Sequence, residues 1–151
     1  MSDTPLHFKT ITELAELIES KALSPVEITD AMLDRIRERD PQYKSYATVM
    51  AGQARTSAQD AERAISAGNY LGRLHGVPIA VKDLCFTKGV KTMGATKALM
   101  NHVPDFDCTV VEKLNAAGAI ILGKLNLTEG AMAGYNPEFQ VPVNPWGANL
   151  W

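Results

Sequence analysis

The stretch Gly72-Arg73-Leu74-His75-Gly76-Val77-Pro78-Ile79-Ala80-Val81-Lys82-Asp83 decides how this chain of 151 residues is read. Two glycines and a proline introduce a short β-branched run, Val77 to Val81, which stops at a charged pair. A short apolar run bounded by turn residues is the pattern of a buried strand. Pro78 cannot donate a ladder bond, so it belongs at the strand's start or where no such bond is needed. The strand then delivers Lys82 at its end. A lysine flush with an apolar strand is expected to be at least partly desolvated, which disfavours the charged form and lowers the pKa. Such a lysine can serve as a general base. The residues alone leave a second reading open, a strand-end lysine that snorkels to water or pairs with Asp83.

Upstream, the pattern is helical. Thr10 and Glu13 have capping-box spacing, and Ile11, Leu14, Leu17 and Ile18 fall on one helical face. Ser24 as N-cap, Pro25 at the first helical position and Glu27 open a second helix, with Ile28, Met32, Leu33 and Ile36 as its apolar stripe and Pro41 as its end. A third, surface helix is predicted from near Ala51 to Ala67, stopped by Gly68-Asn69.

Downstream, Asp107 can cap a helix from Cys108 to Ala117, Gly118 supplies the left-handed stop, and Ala119 to Leu122 is the next strand. A helix followed closely by an apolar strand is an α/β signature. Asn126 and Glu129 have cap spacing for a further short helix. The tail from Asn136 to Trp151, rich in Pro, Asn and Gly, reads as an ordered loop. The organisation expected is an N-terminal helical region over 1–70 and the start of an α/β core over 71–151.

Composition narrows the function. The chain is 46% hydrophobic and 21% charged, with a net charge of −2, which fits a globular protein with a real core. No basic patch or arm predicts a nucleic-acid partner, and no apolar run is long enough to span a membrane. Met1 to Thr10 carries no secretory pattern, so the expected compartment is the cytoplasm. Cys85 and Cys108 form no CxxC pair and no zinc pattern with His7, His75 or His102, so they are expected to be reduced thiols, and no metal or cofactor is expected. Gly118 to Leu125 falls one residue short of a Walker A loop, with Leu125 where Ser or Thr is required, and its middle is an apolar strand. Nucleotide binding is rejected there, and Lys124 is assigned a structural role at a strand end. Cys85, three residues after Lys82, lacks an oriented base. His75 reads as a turn residue, and no histidine forms a triad with Ser and Asp.

The quoted stretch also resembles the catalytic-lysine segment of the amidase signature family. Further pieces follow in that family's order: Thr92 with Gly94 to Leu99, the helix–strand unit Asp107 to Asn126, the Asn144-Pro145-Trp146 element, and Ser24-Pro25-Val26-Glu27 near the start. The resemblance covers nearly the whole chain. It implies a mixed, twisted sheet between helical layers (an α/β/α fold), of which this chain would supply only the first strands, leaving exposed apolar faces.

The resemblance also implies amide hydrolysis by a Ser–cis-Ser–Lys triad. Lys82 would be the base acting through the bridging cis-serine, a second serine would form an acyl-enzyme, and backbone N–H groups would hold the oxyanion. Met132, Ala133 and Gly134 would line the substrate site. The substrate would be a small-molecule amide, and a homo-oligomer is compatible with the exposed faces. The departure from the family is that no serine follows Ser66. The glycine- and serine-rich catalytic segment is expected beyond Trp151, and this chain alone is expected to be inactive. Two other readings stand beside this one. The first is the amidase component of a tRNA-dependent amidotransferase, against which Leu127-Thr128-Glu129-Gly130 speaks, since such proteins tend to carry Asp-Glu-Phe there. The second is a non-catalytic binding module or remnant.

Overall fold

A computed structural model describes residues 4–132 and 134–147. Helix α1, Ile11–Glu19, opens on the predicted capping box. Glu13 N–H donates to Thr10 Oγ1 at 3.2 Å, and Thr10 N–H donates to the Glu13 carboxylate at 2.7 Å. Helix α2, Pro25–Tyr43, starts as the Ser24-Pro25 signal requires, with Ser24 Oγ accepting from Val26 N–H at 3.0 Å and from Glu27 N–H at 3.3 Å. The same hydroxyl donates to Glu62.

Pro41 does not end α2. It lies in the last turn, where its missing N–H forfeits one intrahelical bond and two more residues still follow. The end comes at Lys44, whose φ of 53° is left-handed and whose N–H donates to Asp40 O at 2.7 Å. Helix α3, Ala51–Ser66, buries Ala54, Ala58, Ala61 and Ile65 along one stripe and stops at Gly68, φ 90°. Small side chains therefore give this largely polar helix an inward face.

Three strands form one sheet in the order β1-β3-β2. Strand β1, Tyr46–Val49, was not anticipated. Strand β2, Pro78–Lys82, has Pro78 at its first position, where no ladder bond is lost. Helix α4, Thr109–Ala116, leads into β3, Ile120–Leu125, which runs three residues past the predicted apolar run. β1 and β3 are antiparallel, with Tyr46 opposite Leu125, Thr48 opposite Lys124 and Val49 opposite Gly123. Between β2 and β3 the bonds Ile120 N–H to Val77 O and Asp83 N–H to Leu125 O advance together along both strands, as parallel strands require. The sheet is therefore mixed, and β2-α4-β3 is a crossover unit, the α/β class expected. Gly123 lets β1 close on β3, because a Cβ there would lie 2.3 Å from Thr48 O and 2.9 Å from the Tyr46 ring.

The chain divides into two compact units. The first comprises Met1–Arg35, Met50–Ile79 and Lys113–Leu122. Its core is Leu14, Ile18, Leu23, Ile28, Ile65 and Val77. His75, expected in a turn, is in one, and the residue is 3% exposed. Nδ1 accepts from Leu71 N–H at 3.1 Å, and Tyr70 stacks on the ring. Gly118, φ 77°, abuts that ring so closely that a Cβ would fall 2.4 Å from His75 Cδ2.

The second unit comprises Ile36–Val49, Ala80–Glu112 and Gly123–Trp151, with Val81, Val90, Val111 and Leu127 buried. Asn126 caps no helix. Its side-chain N–H donates to Lys44 O at 2.7 Å, and a 3-10 turn, Glu129–Ala131, starts after Thr128. Met100, Val103, Phe106 and Trp146, all outside the strands, are exposed.

Candidate active site

Burial alternates from the end of β2 into the turn that follows: Val81 is buried, Lys82 exposed, Asp83 buried. Strand geometry sends successive side chains to opposite faces, so a buried Asp83 obliges Lys82 to point outward. The expected desolvation of Lys82 is thus not supplied by the described residues. Among them Lys82 forms no side-chain hydrogen bond or ion pair, and Asp83 is not its partner. Its carbonyl accepts from Cys85 N–H at 2.9 Å, which makes the turn leaving the strand.

The desolvated lysine is Lys124. Its side chain is 0% exposed, and its ammonium lies 2.7 Å from Thr92 Oγ1 and 3.3 Å from Asp83 Oδ1. Thr92 Oγ1 in turn donates to Val90 O at 3.3 Å. Burial pulls the Lys124 ammonium below its ordinary range, and the Asp83 carboxylate opposes that pull.

Asp83 is held on every side. Its N–H donates to Leu125 O at 3.0 Å, its carbonyl accepts from Gly94 N–H at 3.0 Å, and Oδ2 accepts from Met93 N–H at 2.9 Å. Oδ1 has only the Lys124 ammonium among the described residues. With Asp83, Thr92 and Lys124 all at 1% exposure or less, this cluster has no room for a substrate. It fixes the backbone next to Lys82. The structural role expected of Lys124 is correct. Its pairing with Asp83 and Thr92 was missed, because no local pattern brings residues 83, 92 and 124 together.

Two backbone bonds link this frame to the segment expected to line a substrate site. Gly94 N–H donates to Asp83 O, and Gly130 N–H donates to Gly94 O at 2.9 Å. Gly94-Ala95 and Gly130-Ala131 are successive left-handed pairs, with φ between 50° and 59°. A left-handed alanine costs about 1–2 kcal/mol, so tertiary bonds must impose both turns. Beyond the second turn Met132 is 95% exposed, and Gly134 O accepts from Glu129 N–H at 3.1 Å. Ala133 lies outside the described residues.

His75 lines a hollow of about 420 Å³ with Ser57 and Asp60. Its Nδ1 is already taken by Leu71, and Asp60 pairs with Arg63, so the hollow assembles no triad. Among the described residues no group of His, Cys, Asp and Glu gathers as a metal site, and no helix is long and apolar enough to cross a membrane.

The mixed α/β sheet is the fold that the sequence resemblance implied, although β2 is half-buried except at Val81 and Lys82 rather than the buried strand expected. Residues 27–151 match the amidase family model, and the chain belongs to the amidase family. It is 48% identical over 141 residues to the protein named "Putative amidase AmiD" of Mycobacterium tuberculosis, covering 93% of this chain and 30% of that one. It is 47% identical over 139 residues to a component of the glutamyl-tRNA(Gln) amidotransferase of Geobacter sp. (strain M21), covering 91% of this chain and 28% of that one. Among solved structures, the peptide amidase of Stenotrophomonas maltophilia superposes with a TM-score of 0.78 at 30% identity, over 83% of this chain and 26% of that chain. The chain thus spans under a third of the length of the relatives it matches.

Proposed function

We propose that this chain is the lysine-bearing portion of an amide hydrolase that works through a Ser–cis-Ser–Lys triad, with Lys82 as the base. The observation that carries the reading is the contrast between two lysines. Lys124 is consumed by a buried pair, while Lys82 stands at the end of β2 with its side chain exposed and unpartnered among the described residues. A lysine base needs desolvation, and residues that cover this exposed face have to supply it. The absence of any serine after Ser66 supports the same conclusion, since Ser57 and Ser66 both lie on α3. The 151 residues hydrolyse nothing alone, and the whole protein acts on a small-molecule amide. Met132, Ala133 and Gly134 contribute to the substrate site through the turn tied to Gly94.

The test compares two proteins on arylamide and peptide-amide substrates. One is the purified chain, and the other is the chain extended through its native continuation. The extended protein should be active and should lose about a thousandfold or more in kcat/KM on Lys82→Ala. Turnover by the 151-residue chain, abolished by Lys82→Ala, would overturn the proposal.

The 47% identity to an amidotransferase component favours a second reading, in which the same lysine chemistry releases ammonia inside a tRNA-dependent complex. Leu127-Thr128-Glu129-Gly130 remains the sequence feature against it. Co-purification of the extended protein with a tRNA-binding partner, and activity on glutamine, would select it. An extended protein that is inert on every amide would leave a non-catalytic binding module.

A further inference from the structure

The segment between the two cysteines is closed by a series of bonds that approach its ends step by step. Thr92 N–H donates to His102 O at 3.1 Å, Gly89 N–H to Pro104 O at 2.9 Å and Lys88 N–H to Asp107 Oδ1 at 2.7 Å. The outermost is Cys108 N–H to Phe86 O at 2.9 Å. Phe86 also packs on Phe106 and His102, with ring centroids 5.5 and 5.1 Å away. The next pair outward is Cys85 with Cys108. Both are free and partly buried, and the bond from Cys108 N–H to Phe86 O sets Cys108 against the residue that follows Cys85. The closed loop carries Thr92 and Met93, the two residues that hold Lys124 and Asp83.

We propose that Cys85 and Cys108 are a redox pair, and that their oxidation places an intramolecular disulfide at the mouth of this loop and staples the frame next to Lys82. With a low-molecular-weight disulfide as oxidant, one cysteine thiolate attacks it and expels a thiolate. The second cysteine then attacks the mixed disulfide and expels the other. Two S–H bonds are lost, one S–S bond forms, and the oxidant leaves as two thiols. Burial and the neighbouring thiol push the Cys85 thiol up, against the pull of the nearby Lys124 ammonium. Exchange should therefore quicken as pH rises. The inference does not depend on the amidase reading.

The 151-residue chain is equilibrated in mixtures of oxidised and reduced glutathione, quenched with acid and mapped by mass spectrometry. The expected product has lost two hydrogens and yields a Cys85–Cys108 cross-linked peptide. Its effective thiol concentration should exceed that of the same chain in concentrated guanidinium chloride by about tenfold or more, because the fold holds the loop ends together. Cys85→Ser and Cys108→Ser should each give a single glutathione adduct and no cross-link. On oxidation, amide exchange at Asp83 and Gly94 should slow. Glutathione adducts alone, chain-to-chain dimers, or an effective concentration no higher than in denaturant would overturn the pair. A disulfide that leaves exchange at Asp83 and Gly94 unchanged would overturn the staple.

Discussion

Lys124 Nζ lies 3.3 Å from Asp83 Oδ1, and neither side chain has more than 1% of its surface in contact with solvent. A buried pair of this kind is weak evidence for net stabilisation. Removing one partner nevertheless strands an uncompensated charge, which costs about 3–5 kcal/mol. Lys124→Met and Asp83→Asn should each lower the urea midpoint of the 151-residue chain sharply. The double variant Lys124→Met/Asp83→Leu should cost much less than the sum of the single losses. Singles that unfold with the parent would contradict the pairing.

Lys82→Met makes the opposite prediction. The side chain is exposed and unpartnered among the described residues, and such surface changes stay within about 0.5 kcal/mol. The denaturation curve should match the parent's. A large loss of stability would mean that Lys82 is held by contacts that its exposure does not indicate.

Two glycines separate backbone strain from steric contact. Gly68 and Gly118 both have left-handed φ, 90° and 77°, but nothing lies within 4 Å of a Cβ built on Gly68, whereas one on Gly118 strikes His75. Gly68→Ala should cost about 1 kcal/mol from backbone conformation. Gly118→Ala should cost clearly more, since Gly118 O also accepts from Gly76 N–H at 2.9 Å. Equal losses in parallel urea titrations would mean that the His75 ring moves aside freely.

His75 should make stability depend on pH. Burial lowers its pKa below the ordinary 6.5, so on acidification the unfolded chain takes up a proton before the folded one does. Stability due to this group is complete above about pH 6.5 and declines as pH falls toward the lowered folded-state value. Protonation would also forfeit the bond from Leu71 N–H to Nδ1. Urea midpoints between about pH 7.5 and 5.5 should fall in the parent and fall less in His75→Gln. Identical slopes would remove His75 as the cause.

The helices were legible because their signals are local. Thr10 with Glu13, and Ser24 before Pro25, satisfy the first N–H groups of a helix wherever they occur, and both appear as read. Strand β2 was legible from its β-branched run and the place that Pro78 demanded. Strand β1 was not, because Tyr46-Ala47-Thr48-Val49 is short and only partly buried. It depends on Gly123 for room, and on the Asp40 carboxylate, which accepts from Ser45 N–H at 2.6 Å and Tyr46 N–H at 3.2 Å. At the candidate site a desolvated strand-end lysine was expected and one is present, but it is Lys124. Lys82 is turned outward by the parity of β2, which puts Asp83 inside against its partner Lys124 on β3.

That parity protects the strand against misregistration. Lys82 and Asp83 are adjacent in sequence but occupy different media, one in water and the other in the protein interior. Sliding β2 by one residue would exchange them, bringing a second ammonium beside Lys124 and expelling the only carboxylate that answers it among the described residues. The wrong alignment is thus penalised by charge as well as by misplaced apolar side chains. The direction in which Lys82 points is set by the electrostatics of its neighbour, before any contact of its own is made.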